Sequence, residues 1–213
     1  MSSSTLPPPP PSTSQPLSLA AAASFLAEKA RSTSQLIDKT LLPPPSRPIT
    51  DPWNPYPSNP SLTRLTKLSA KLLQFNQHAN TLGDCLTSAA SAGVADELAS
   101  TLDKALTRCD QGVEVVSGQV EWLGRDDVGT DVLQLNQPGT GKGKTEVDGQ
   151  VMEEYADLLI AYSRLFIFGS QIVILDKNEQ AEWMAKADVD KMINRAEESA
   201  KKVLLGKSIL RQL

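Results

Sequence analysis

Apolar residues recur along this chain at alternating three- and four-residue steps, and no other feature limits its fold so tightly. One stretch runs Leu65, Leu68, Leu72, Phe75, Ala79, Leu82, Leu86 and Ala89. Others run Leu98, Leu102, Ala105, Cys109, Val113, Val116, Val120 and Leu123, then Tyr155, Leu158, Tyr162, Leu165, Gly169 and Ile172. The last runs Val189, Met192, Ala196, Ser199, Val203, Gly206, Leu210 and Leu213. Such spacing keeps one stripe on one side of an α-helix, the seam along which helices pack lengthwise. It predicts an all-α fold: an elongated antiparallel four-helix bundle or coiled coil, with an extra N-terminal helix and Pro-rich disordered segments.

The proline distribution divides the chain. Residues 1–16 read as a disordered Pro-rich tail, 17–42 as an N-terminal helix capped by Ser18, and 43–60 as a Pro-rich linker. Along the N-terminal helix Leu19, Ala22, Leu26, Ala30, Ile37 and Leu41 fall on one side. It is weakly apolar, marginal alone, and needs the bundle or a partner to dock on. The bundle spans 61–213, as a hairpin over 61–123, a Gly-punctuated loop over 124–150 and a second hairpin over 151–213. The turn at Ser91-Ala92-Gly93 is short enough to force its flanking helices antiparallel. Gly112 and Gly118 interrupt a helix, so either it bends there or a neighbour comes close.

Charge and cysteine usage narrow the class. A net charge of −4 with mixed signs lacks the basic face of a nucleic-acid binder. Cys85 and Cys109 would lie about 12 Å out of register across the first hairpin, too far for a disulfide. They read as small apolar residues of a reducing compartment, and no basic region precedes the apolar run from Leu17 to Ala23. The expected location is therefore cytoplasmic or nuclear.

Two segments imitate chemistry. Gln137 to Thr145 looks like a Walker A loop, and Ile172-Val173-Ile174-Leu175-Asp176 looks like a Walker B strand. The register fails, because a loop ending in Gly143-Lys144-Thr145 would need its first glycine at Pro138. The second imitation is Leu158 to Leu175, long enough to span a membrane but carrying Arg164 near its centre. A helix apolar nearly all round, with Leu159, Phe166 and Val173 widening the seam, fits burial among several neighbours better.

Leu6 followed by Pro7, Pro8, Pro9 and Pro10 resembles ligands of profilin and of EVH1 domains, which implies a polyproline-reading partner. Asp51-Pro52-Trp53 resembles the motif by which endocytic accessory proteins engage clathrin-adaptor appendages. Asn54-Pro55-Tyr56 is similar to the Asn-Pro-Phe motif read by EH domains. The only histidine, His78, has no ligand or carboxylate cluster beside it, and no catalytic set can be assembled. The expected function is non-enzymatic, with no cofactor or metal: a helical scaffold or adaptor subunit of a multiprotein assembly. Its expected partners are other helical proteins, met as a homo- or hetero-oligomer. Besides the Pro-rich residues, the candidate contact residues are Tyr155, Tyr162, Phe166, Val203 and Leu210. The alternative is a membrane-associated trafficking protein using helix 158–175 and the 51–56 motif.

Overall fold

The computed structural model describes residues 14–41, 60–90, 92–123 and 149–210. The protein is all-helical, and among these residues no strand occurs. Six helices pack on one another: α1 (Ser14–Leu36), α2 (Pro60–Ser88), α3 (Asp96–Leu123), α4 (Gly149–Val173), α5 (Lys177–Met184) and α6 (Ala187–Leu210). A π-helical turn, Ile37–Leu41, continues α1.

The seams of α2, α3 and α4 are buried along their whole length. The closest pairs are α1–α2, α2–α4, α4–α6, α1–α3 and α3–α6. The tight turn after α2 uses Gly93 at φ 80°, whose N–H donates to Ala89 O at 2.9 Å. A side chain there would be strained, and glycine is the usual residue just past a helix end. Asp96 and Glu97 then place negative charge on the first turn of α3, where exposed N–H groups attract it.

Glycines set how closely α3 and α4 approach. A Cβ on Gly112 of α3 would come within 2.7 Å of Leu158 Cδ2 on α4, and one on Gly169 of α4 within 2.9 Å of Leu102 Cδ2 on α3. Each helix thus receives a leucine of the other at a glycine. Gly118 is different, since a Cβ there meets nothing within 4 Å. Gly118→Ala should therefore stabilise the fold by up to about 1 kcal/mol. Thermal denaturation should show a midpoint higher by a few degrees, and a lower midpoint would mean a contact has been missed.

Two expectations need correcting in detail. The N-terminal helix begins at Ser14, not at a Ser18 cap, and its inward residues include Ala20, Ala23 and Ala27 while Ala22 is exposed. This helix docks on the bundle itself. Asn76 Nδ2 donates to Ala27 O at 2.8 Å, the Ser34 and Ser69 hydroxyls lie 2.8 Å apart, and Ser69 Oγ donates to Asp38 Oδ1 at 2.8 Å. On its other side Lys29 pairs with Asp110 of α3 at 2.8 Å and with Glu114. Burial opposes the Lys29 charge, but those two carboxylates outweigh it and hold its pKa above the ordinary lysine value.

The second correction concerns the C-terminal helix, which is broken at Ala185–Lys186 into α5 and α6. No glycine or proline marks the break. On its inner side α5 is pinned against α3 and α4 by a wholly buried Gln180. Gln180 Oε1 accepts from the Ala95 N–H at 2.7 Å, and its Nε2 donates to Leu175 O at 2.8 Å and to Val173 O at 3.3 Å. Asp176 caps α5 in a reciprocal box with Glu179. The Walker B-like segment is thus the end of one helix and the cap of the next.

Candidate functional site

The candidate contact residues fall into three groups. Leu6, Pro7, Pro8, Pro9, Pro10, Asp51, Pro52 and Trp53 lie outside the described residues, as does the Walker A-like segment. Leu210 ends α6, and its side chain also lies outside them. Tyr155, Tyr162, Phe166 and Val203 are core residues, each no more than 2% exposed. In this conformation they hold the bundle together, and a partner could meet them only if it opened.

Phe166 packs its ring 5.5 Å from Phe75 of α2 and 6.1 Å from Tyr162, centroid to centroid. Burial, followed by the nearby Glu154 charge, pushes the Tyr155 phenol up to about 12. Burial raises Tyr162 further, with Cys109 and Glu197 adding to it and Arg108 opposing. Burial also raises both thiols, Cys109 strongly.

One outward-facing apolar surface lies at the junction of α4 and α5, and the periodicity of the seams gave no sign of it; Phe25 of α1 and Leu205 of α6 are exposed elsewhere. Ile167 near the end of α4 and Ile174 in the turn just past it are both exposed. Half-buried Phe168 follows Ile167 on α4 and meets Trp183 of α5 edge-on, with centroids 6.4 Å apart. Ile174 is 67% and Trp183 41% exposed. Lys186 lies over the other region of the Trp183 ring, its Nζ 3.0 Å from the centroid.

Among the described residues no group of three His, Cys, Asp or Glu side chains could hold a metal ion. His78 is half-buried on α2. Among the described residues one helix, α4, is long and apolar enough to cross a membrane, and 61% of its most apolar window is buried inside the bundle. No family model, curated protein or solved structure matches the chain.

Proposed function

We propose that this chain is a non-enzymatic helical scaffold or adaptor subunit of a multiprotein assembly, in the cytoplasm or nucleus. The observation carrying this reading is the α4–α5 platform, in which Ile167, Ile174 and Trp183 stand exposed beside Phe168. Aromatic anchors with aliphatic neighbours are the composition of interface centres, where a few such residues supply most of the binding energy. The partner is another helical protein, which can lay an apolar stripe along the platform. The Pro-rich segments 6–10 and 51–53 serve as additional ligands, the first for a polyproline-reading domain.

The finer architecture belongs to the same proposal. We read α2, α3, α4 and α6 as an elongated antiparallel four-helix bundle with coiled-coil-like seams, with α1 packed on both α2 and α3. The continuous burial of the three- and four-step positions of α2, α3 and α4 supports it. The membrane reading asks α4 to leave a core that buries most of it, and is the weaker one.

A photo-crosslinking residue placed at 174 in the full chain, in cells, tests the platform. It should give a few discrete adducts containing this chain or another protein. The same residue at exposed position 182 on α5 should give none. Absence of any discrete adduct from 174, or an identical pattern from 182, would defeat the reading.

A further inference from the structure

Beside Tyr162 there is an unexplained arrangement. Its hydroxyl is buried, and no hydrogen-bond partner reaches it. A buried hydroxyl without a partner is unfavourable, and native interiors leave few of them. The residue lines a cavity of about 130 Å³ between α3, α4 and α6, together with Thr101, Lys104 and Arg108 of α3 and Glu197 of α6. Arg108 and Glu197 also border an adjoining cavity of about 100 Å³, where Lys201 joins them. Three cations therefore surround this groove against one carboxylate, and none of the four forms an ion pair among the described residues. Among the described residues the one bond of the Arg108 guanidinium is a long contact of 3.4 Å to Gln111 on its own helix.

We infer that the groove between α3, α4 and α6 is a binding site for a single carboxylate on a short aliphatic stem, held by Arg108, Lys104 and the Tyr162 hydroxyl. The volume is well below the roughly 300–1,000 Å³ of pockets that enclose a small molecule, so it accepts a group and not a whole ligand. The sign of the charge calls for an anion. Leu165, Ile193 and Ala196 offer apolar wall to a methylene stem. The guanidinium fork matches a planar carboxylate, and Tyr162 supplies an O–H to one of its oxygens. This chemistry is shared by a free aliphatic acid and by a glutamate side chain of another polypeptide. The site is independent of the α4–α5 platform, so either can fail without the other.

Nuclear magnetic resonance of the full chain tests it, with sodium propionate, sodium phosphate and an N-acetyl glutamate amide titrated at fixed ionic strength. Propionate should shift the backbone signals of residues 101–108 and 193–197 saturably. Arg108→Gln should weaken it at least tenfold. Tyr162→Phe should weaken it several-fold without lowering the thermal midpoint, since that change also removes the unpaired hydroxyl. If the blocked glutamate saturates at lower concentration than propionate, the carboxylate is one carried by a polypeptide; equal affinities mean that only the acid and its stem are read. No saturable shift, tighter binding of phosphate than of propionate, or unchanged binding in both variants would overturn the assignment.

Discussion

Phe166→Ala should lower the unfolding free energy by about 3–5 kcal/mol, the usual cost of removing a buried aromatic ring and leaving its cavity. Phe166 is fully buried and faces Phe75 across the α2–α4 contact while stacking obliquely on Tyr162 along its own helix. The site cannot collapse cheaply, because α3 and α4 are already held together by leucines set onto glycines at Gly112 and Gly169. A domain of this size has about 5–15 kcal/mol of total stability, so a large share would go. Urea unfolding should show the midpoint falling with the slope unchanged. Phe166→Leu, which refills much of the volume, should cost less than half as much. A loss below about 1 kcal/mol for the alanine variant would mean that α4 is packed far more loosely than its burial implies.

How much of this was readable beforehand depends on where polar residues fall. In α2 and α3 charged and amide side chains punctuate every turn, so the apolar phase is unambiguous and each seam residue is buried. In α1 the run Leu19-Ala20-Ala21-Ala22-Ala23 contains no polar marker. The phase drifted there by one position, placing Ala22 inward where Ala23 belongs. The docking of α1 was only one of two possibilities because its specificity lies in α2. Gly83 leaves room for Ala20 and Ser24, with Ala20 O only 3.3 Å from where a Cβ would sit, and Asn76 reaches the α1 backbone. A glycine and an amide within an apolar-seamed helix were the available signals. The charged residues of the α3–α4–α6 groove were invisible for another reason. Lys104, Arg108 and Glu197 look like ordinary solvated positions, and only the fold brings them around the Tyr162 hydroxyl.

Gln180 has the sequence character of a surface residue yet is wholly buried, and it is the residue whose replacement should be felt most after the aromatic core. Gln180→Leu keeps most of the volume but leaves the Ala95 N–H and the Leu175 and Val173 carbonyls without their partner. Each unmet buried group costs about 1–3 kcal/mol, so a total loss of about 2–4 kcal/mol is expected once partial access to water is allowed. Hydrogen exchange at the Ala95 amide should accelerate more than at the α3 interior. Trp183 fluorescence should shift to the red as α5 loosens from Phe168. Gln180→Glu separates the hydrogen bonds from simple packing. A carboxylate can still accept from Ala95 but would face two carbonyl oxygens, so burial there raises its folded pKa above the unfolded value near 4.3. The protonated form can donate to one carbonyl. Stability relative to the native chain should therefore be best below the unfolded pKa and fall as pH rises through the folded one. A deficit independent of pH between about 4 and 8 would show that the amide's donors do not hold α5 in place.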